Sequence, residues 1–271
     1  MIKFLNGSEL AGFIKERQAH QVRGLRQHDK VFPRLAIIQT ADNPVIDTYV
    51  RLKRVYGADI LIDVDVYKIA QPDVSAKIVE LNDDATVHGI IVQLPLIDPG
   101  ETDTIVNQVA PEKDVDGLGR NAQYDSATAV AINWMLTGYN IELRGKKIAV
   151  VGQGRLVGAP LTRMWRNSGY DISALDESTP DIRAELLTAE VIVSATGVPG
   201  LVTTDMIQPS TAVVDAGTAS EGGKIVGDVA EDVYDRNDII ITPTRGGVGP
   251  LTIAALFDNV IRAARASVKT G

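Results

Sequence analysis

The stretch Lys146–Gly158, which reads KKIAVVGQGRLVG, decides the fold. A β-branched run leads into the glycine turn Gly152–Gly154, and a helical pattern that carries Gly158 follows. A strand, a glycine turn and a helix in this order predict a dinucleotide site, because glycines let the backbone turn tightly and approach a pyrophosphate. The third glycine of the usual spacing falls at Val157, and Gly158 comes one residue late. On this motif alone, an ordinary strand-to-helix turn remains an equal alternative.

Similar apolar runs recur along the whole chain and alternate with helical patterns, which is typical of a parallel α/β protein. The predicted strands are Leu35–Gln39, Ile60–Ile69, Gly89–Leu94, Lys147–Val151, Asp171–Leu175, Val191–Ala195, Ala212–Asp215 and Ile239–Thr242. The predicted helices are Ser8–Gln27 with Ser8 as N-cap, Val45–Tyr56 beginning near Pro44, Ala129–Leu136 and Leu251–Val268.

A polar stretch around residue 122 divides the chain into two predicted domains. We expect an N-terminal α/β catalytic domain over residues 1–122 and a Rossmann-type dinucleotide-binding domain over residues 123–249. The C-terminal helix, residues 250–271, is predicted to pack back on the first lobe. A cleft between the two lobes is expected.

Composition narrows the class of function. The 271 residues carry a net charge of −8, which disfavours nucleic acid and anionic membranes as partners. The absence of cysteine excludes disulfides and thiolate metal sites. No N-terminal apolar segment resembles a secretory signal. We therefore expect a cytoplasmic protein that acts on a small molecule without a metal.

The strand after the glycine turn ends in Asp176, 24 residues after Gly152. An acid near this spacing binds the adenosine ribose and repels a 2′-phosphate, which favours NAD over NADP. A solvated loop is the alternative for Asp176. The later strand ends, Ser194–Gly197 and Asp215–Thr218, add small and polar residues at the edge where an open parallel sheet binds its ligand.

Tyr49 and Lys53 are spaced i and i+4, so both project from one face of the predicted helix. A lysine beside a phenol in a partly closed site can have its pKa lowered and carry protons. A solvated basic face is the stronger reading of the spacing alone. Gln93 interrupts the buried run GIIVQLPL of residues 89–96, and a buried amide needs partners, which are a substrate, a neighbouring lysine or, more commonly, backbone groups.

Two loops complete the set of candidates. Pro111–Gly117 reads PEKDVDG, and its Asp116 can accept a pair of hydrogen bonds from an amino-heterocycle, although loop acids are usually just solvated. Gly246–Thr252 reads GGVGPLT, and its three glycines indicate either a close ligand or a special turn.

These motifs occur in the order of the bifunctional methylenetetrahydrofolate dehydrogenase/methenyltetrahydrofolate cyclohydrolase family, which the chain resembles over nearly its whole length. The motifs are Tyr49–Lys53, VQLPL from Val92, PEKDVDG, the GxxxxVGxP pattern from Gly152, GDV from Gly227 and GGVGPLT. The resemblance implies a homodimer that oxidises 5,10-methylenetetrahydrofolate and hydrolyses the product to 10-formyltetrahydrofolate.

The resemblance also implies residue roles. Lys53 would be the central catalytic residue, Tyr49 and Gln93 would assist it, and Asp116 would hold the pterin. The implied substrate-binding residues are Tyr49, Lys53, Val92, Gln93, Leu94, Asp116, Gly246, Gly247, Gly249, Pro250 and Thr252. The implied cofactor-binding residues are Gly152, Gln153, Gly154, Arg155, Leu156, Val157, Asp176, Ala195, Thr196, Gly197 and Thr218.

Several positions depart from the family pattern. Gln153 and Gly154 replace an Arg–Ser pair suited to the 2′-phosphate, and Asp176 replaces a histidine, which together predict NAD as cofactor and make NADP less favoured. Of the PCTP motif only Thr128 is kept, and Ile46 replaces a serine. An NAD-dependent dehydrogenase without cyclohydrolase activity, or a metabolite-binding relative without catalysis, are the alternatives.

Overall fold

The structure is a computed structural model that describes residues 3–221 and 224–268. Its strands are β1 (Lys3–Phe4), β2 (Arg34–Gln39), β3 (Asp63–Lys68), β4 (Gly89–Gln93), β5 (Ile148–Val151), β6 (Ile172–Leu175), β7 (Val191–Ser194), β8 (Ala212–Asp215), β9 (Ala219–Glu221), β10 (Lys224–Val226) and β11 (Ile240–Ile241). Its helices are α1 (Gly7–Gly24), α2 (Pro44–Asp59), α3 (Val74–Asp83), α4 (Thr102–Val106), α5 (Ala127–Gly138), α6 (Gly158–Asn167), α7 (Ile182–Leu186) and α8 (Val248–Val268).

The chain forms two compact units, and each takes residues from two separate stretches. The lysine unit, named after Lys53, comprises Gly12–Ala127 and Ile253–Gly271, and the glycine-turn unit comprises Met1–Ala11 and Thr128–Thr252. Residues 1–11 thus group with the second lobe, whereas our predicted catalytic domain includes them. Compact units need not fold independently, so the domain limits at residues 122 and 250 stay a prediction.

The glycine-turn unit contains a six-stranded sheet in the order β1-β11-β8-β7-β5-β6, in which every pairing is parallel. The chain moves from β5 to β6 on one side and then to β7 on the other, so the strand order reverses at β5. An open parallel sheet binds its ligand outside the carboxyl ends of the strands at such a point. The predicted Rossmann-type architecture is therefore confirmed.

The lysine unit contains a smaller parallel sheet in the order β3-β2-β4. Its central strand β2 is buried from Leu35 to Gln39, as expected for a strand that pairs on both sides. One core cluster of this unit joins β2 and β4 to α3, with Ile38, Ile90 and Ile78 among its members. This packing fixes the carboxyl end of β4, where Gln93 lies.

The helix starts show one prediction confirmed and one wrong. Helix α2 begins at Pro44 as predicted, and the Asn43 side chain accepts a hydrogen bond from the backbone N–H of Val45 over 2.8 Å. Ser8 does not cap α1, because the helix already begins at Gly7. The Asn6 side chain instead accepts from the backbone N–H of Glu9.

The last helix, α8, packs on the first lobe as predicted. In the lysine unit the Gln18 amide donates to the Ala254 carbonyl over 2.8 Å, and the rings of Tyr56 and Phe257 stack with centroids 5.1 Å apart. Tyr56 in turn donates its hydroxyl to Gln18. Among the residues described, no helix has the length and apolar character needed to cross a membrane.

Candidate functional site

Helix α2 and strand β4 bring Lys53 and Gln93 together in the lysine unit. The Lys53 ammonium donates a hydrogen bond of 2.8 Å to Gln93 Oε1, and the Gln93 amide nitrogen donates to the carbonyl of Leu94 over 3.0 Å. Two hydrogen bonds therefore orient the amide so that its oxygen faces the lysine. The predicted pairing of Lys53 with an amide at the strand end is present.

The surroundings of Lys53 favour its neutral form. Burial lowers the pKa of Lys53, and the nearby carboxylate of Asp116 partly opposes this shift. Burial likewise raises the pKa of Asp116, while Lys53 lowers it. Both side chains keep partial contact with solvent, so the amine and the carboxylate remain within reach of a ligand. Because burial lowers its pKa, the Lys53 amine gives up its proton more easily than an exposed lysine and can act as a proton carrier.

Tyr49 lies one turn before Lys53 on α2 and is half-buried. Burial raises the pKa of its phenol, so the hydroxyl stays protonated at neutral pH and can act as a hydrogen-bond donor. Tyr49, Lys53, Gln93 and Asp116 thus belong to one unit. Their individual roles stay a prediction.

The loop that carries Asp116 is built around a second acid, Asp114, which the sequence did not single out. Asp114 is 4% exposed, and its carboxylate accepts hydrogen bonds from the backbone N–H groups of Gly117 (3.0 Å), Leu118 (3.4 Å) and Gly119 (2.7 Å). Gly117 has φ +70°, a conformation that favours glycine. Asp114 therefore stabilises the fold of the loop, which explains why a second acid lies two residues before Asp116.

Helix α8 and the neighbouring backbone hold the same loop. The buried Asn259 amide donates to the carbonyl of Val115 over 2.9 Å, directly before Asp116. On the other side, the Lys113 carbonyl accepts from the backbone N–H of Ile90 in β4 over 2.8 Å. Asp116 therefore sits on a loop tied both to the strand that ends in Gln93 and to α8.

The remaining predicted substrate residues flank Gln93 or belong to the glycine-turn unit. Val92 is 3% exposed and packs in the core, so only its backbone can face a ligand, and Leu94 is partly buried beside the same core. The glycine-rich loop Gly246–Thr252 belongs to the glycine-turn unit. Its role in folate binding stays a prediction.

Packing explains two of the three glycines in that loop. The Gly246 carbonyl accepts from the Ser8 N–H over 2.9 Å, and Gly246 has φ +79°. A Cβ on Gly7 would overlap the carbonyl of Gly247, so the two backbones are in direct contact. Gly249, by contrast, has open space around it. It lies exposed in the first turn of α8, followed by Pro250 and Thr252.

The glycine turn Gly152–Val157 lies at the carboxyl end of β5. Gly152 has φ +87°, and a Cβ there would lie 2.6 Å from the carbonyl oxygen of Ala195 at the end of β7. Gly158 opens α6, and a Cβ on it would overlap the carbonyl of Gly152. The late glycine thus performs the close helix-to-turn packing that a third glycine provides in a dinucleotide fold.

The other predicted cofactor residues line the same edge of the sheet. Gly154, Arg155 and Leu156 are exposed, as are Gly197 and Thr218, whereas Val157, Ala195 and Thr196 are half-buried. The Gln153 amide donates back to the carbonyl of Val150 over 3.0 Å. Asp176 follows β6, and its Oδ1 accepts from both the N–H (2.9 Å) and the hydroxyl (2.6 Å) of Ser178, which lowers its pKa.

Two acids, Asp215 and Asp228, meet beneath this edge of the sheet. The Asp215 carboxylate accepts from the backbone N–H groups of Gly217 (2.9 Å), Asp228 (3.0 Å) and Val229 (3.1 Å). Burial raises the pKa of Asp215. The sequence places Asp228 in the GDV motif from Gly227, but that motif does not indicate that the carboxylate is buried.

Comparison with known protein families yields two matches. Residues 5–116 match the model of the tetrahydrofolate dehydrogenase/cyclohydrolase catalytic domain. Residues 126–268 match the model of the tetrahydrofolate dehydrogenase/cyclohydrolase NAD(P)-binding domain. The first match contains Lys53, Gln93 and Asp116, and the second contains the glycine turn.

Individual proteins agree with these matches over their full length. The bifunctional protein FolD of Amoebophilus asiaticus is 35% identical, with 97% of each chain covered. The crystal structure of the bifunctional enzyme FolD from Campylobacter jejuni is 34% identical, with a TM-score of 0.92 and coverage of 98% of this chain and 99% of that one. The FolD structure from Trypanosoma brucei, complexed with NADP cofactor and inhibitor, is 29% identical, with a TM-score of 0.92 and 99% of each chain covered.

Proposed function

The chain belongs to the tetrahydrofolate dehydrogenase/cyclohydrolase family, and we propose that it oxidises 5,10-methylenetetrahydrofolate to the methenyl form and hydrolyses that product to 10-formyltetrahydrofolate. The observation that carries the proposal is the hydrogen bond from Lys53 to Gln93 beside Asp116, within the region that matches the catalytic domain. An oxidoreductase and a hydrolase activity would therefore share one substrate site in one-carbon metabolism and supply purine biosynthesis.

The oxidation removes a hydride from the bridging carbon of the substrate. A nicotinamide dinucleotide, when bound, supplies the hydride acceptor. Asp116 would accept hydrogen bonds from the amino group and ring N–H of the pterin and so fix the folate relative to Lys53. Tyr49, whose phenol stays protonated, would donate a hydrogen bond beside the reacting carbon.

Hydrolysis then needs a water and a place for its proton. Water adds to the methenyl carbon, and the neutral amine of Lys53 takes the proton that the water loses. The bond from that carbon to N5 breaks and N5 receives a proton from the ammonium, while the hydroxyl on the carbon releases its proton to solvent and becomes the carbonyl of the formyl group, which remains on N10. Gln93, which accepts from Lys53, holds the amine in place during both transfers.

The test of this function uses the purified protein with methylenetetrahydrofolate and NAD. We expect reduced cofactor to appear by its absorbance, followed by loss of the methenyl absorbance faster than in buffer. Methenyl product that accumulates and decays at the buffer rate would favour a dehydrogenase without cyclohydrolase activity. No reduced cofactor with NAD or NADP would favour a metabolite-binding relative without catalysis.

The Lys53→Met variant tests the role of Lys53 in hydrolysis separately from dinucleotide binding. The variant should lose hydrolysis by at least about a hundredfold, in the range that general acid–base catalysis contributes. Dinucleotide binding should stay within twofold of the wild type, measured by NADH fluorescence, because Lys53 lies in the other unit. Arg54→Met, on the exposed side of α2, is the matched control and should keep full activity. Full hydrolysis in Lys53→Met would remove Lys53 from the mechanism.

We propose NAD as the preferred cofactor within the NAD(P) class that the family match supports. Asp176 follows the strand beside the glycine turn, and Ser178 engages only its Oδ1 in the bonds described, so Oδ2 would accept from a ribose hydroxyl. Gln153 and Gly154 carry no charge to attract a 2′-phosphate. The Trypanosoma brucei relative, in contrast, was solved with NADP.

Catalytic efficiencies test the cofactor assignment. We expect kcat/KM to be higher with NAD than with NADP, and Asp176→Ser to raise kcat/KM with NADP about tenfold by removing a repulsive charge. Glu177→Ser, which removes an exposed neighbouring charge, should change the ratio little. A wild type several-fold more efficient with NADP would overturn the assignment.

A further inference from the structure

A fully buried carboxylate in the glycine-turn unit has no part in the mechanism above. Asp228 is 0% exposed, and its Oδ2 accepts two hydrogen bonds, from the Ser194 hydroxyl over 2.8 Å and from the backbone N–H of Thr196 over 2.6 Å. Both donors belong to the carboxyl end of β7. Burying a carboxyl group in the core is costly unless such donors stabilise it.

Asp228 is held in place by the loop after β8. Its backbone N–H donates to Asp215, and its carbonyl accepts from the backbone N–H of Val202 over 3.1 Å. Gly217 packs so closely that a Cβ there would overlap Asp228 Oδ1, and a Cβ on Gly227 would overlap Asp215 Oδ2. Gly217 therefore packs against Asp228, and Gly227 packs against Asp215.

Asp228 Oδ1 has no hydrogen-bond partner within the described part of the chain. All the hydrogen bonds formed by its side chain instead go to residues 194 and 196. The side chain therefore holds a single segment, residues 194–196 at the carboxyl end of β7.

The position of that segment in the sheet indicates which part of a dinucleotide it serves. In the order β6-β5-β7-β8, the acid after β6 would take the adenosine ribose and the glycine turn after β5 would take the pyrophosphate. The next strand end, at β7, is left for the nicotinamide half. Thr196 lies there, half-buried and next to the backbone of Gly152.

We propose that Asp228 is a positioning residue for the nicotinamide half of the cofactor site, acting through the Thr196 backbone without touching the ligand. The inference rests on the proposed dinucleotide binding and deepens it. Two acids at this edge of the sheet would thus have different roles. Asp176 would contact the cofactor directly, and Asp228 would set the shape of the backbone beneath it.

The test compares ligands that fill different parts of the site. Asp228→Asn keeps the volume of the side chain and removes its charge. We expect the Kd of NADH, measured by fluorescence titration, to rise about tenfold, as for the loss of one charge-assisted hydrogen bond. The inhibition constant of AMP, which lacks the nicotinamide half, should stay within twofold, and so should the cyclohydrolase rate. Asp232→Asn is the matched control, because it removes an exposed acid that accepts from Thr204 over 3.0 Å in the same unit.

Three outcomes would overturn the inference in a folded Asp228→Asn protein: an unchanged Kd for NADH, an equal weakening of AMP, or a parallel loss of cyclohydrolase activity. If circular dichroism shows that this variant does not fold, Ser194→Ala decides, with an expected rise of about threefold in the Kd of NADH and no change for AMP. An unchanged Kd of NADH in Ser194→Ala would also overturn the inference. The titrations need no folate, so a wild type that binds NADH but fails to oxidise the substrate contradicts the proposed function alone.

Discussion

At the scale of single residues, the surroundings of Lys53 combine burial with one opposing charge. Burial lowers the pKa of Lys53, and the Asp116 carboxylate raises it. The balance between these two effects sets the pH at which the amine becomes neutral. Activity that needs the neutral amine should therefore rise with pH through the pKa of Lys53.

Asp116→Asn removes the charge that favours the protonated amine, so the pKa of Lys53 should fall further. We expect the rising limb of kcat against pH for methenyl hydrolysis to move to lower pH, measured at saturating folate so that weaker pterin binding does not interfere. Glu112→Gln, an exposed acid on the same loop, should leave the limb in place. A limb that stays or moves to higher pH in Asp116→Asn would contradict the proposed coupling.

Spacing and a polar interruption in an apolar run drew attention to Lys53 and Gln93, but their assignment to the site came from the family resemblance, because the pattern alone favoured a solvated basic face for Lys53. The roles of Asp114, Asp215 and Asp228 could not be predicted. Each of these carboxylates accepts hydrogen bonds from backbone N–H groups that come close only after folding. The sequence does not show which N–H groups will point at an acid. Val92 shows the same limit, since its side chain proves to belong to the core.

At the scale of elements, the contact between the start of α6 and the glycine turn should be sensitive to a single methyl group. Gly158→Ala places a Cβ against the carbonyl of Gly152, and Gly154→Ala places one in open space. We expect the free energy of unfolding to fall by about 1–3 kcal/mol in Gly158→Ala. It should change by less than about 0.5 kcal/mol in Gly154→Ala.

Urea unfolding of both variants without cofactor measures this difference. Equal stability of the two would show that α6 does not depend on Gly158. The comparison is matched because both substitutions add one methyl group within the same turn and helix start.

Most strands could be predicted from their apolar runs, and their ends agree within a few residues. The predicted strand Ile60–Ile69 begins later, at Asp63, because α2 continues to Asp59 and Leu61 adopts φ +64° between them. Strands β1, β9 and β10 were missed. Elements of two or three residues are too short to show an alternating pattern, and β1 exists because it pairs with β11 far along the chain.

At the scale of the whole molecule, we propose a homodimer. Within the described residues, β3 pairs with β2 on one side only, so its other edge offers unpaired backbone groups. Val64 and Val66 on this strand are only half-buried. A second copy of the chain is the partner that would cover such an edge.

Sedimentation equilibrium at micromolar concentration tests the proposal. The mass should be twice the 29.1 kDa of one chain. A mass of one chain across that range would contradict it. The result is independent of cofactor and folate, so it separates assembly from chemistry.

The way the two units share the chain bears on how the protein is made. The glycine-turn unit needs its first strand and residues up to 252, and the lysine unit needs residues 12–127 together with the end of α8. Because synthesis runs from the N-terminus at roughly 5–20 residues per second, residues 12–127 of the lysine unit leave the ribosome long before the helix that completes the unit. The lysine unit cannot complete its fold before residues 253–268 of α8 have been synthesised. Until then, residues 12–127 must keep an incomplete apolar surface, and this is the interval in which chaperones would matter most.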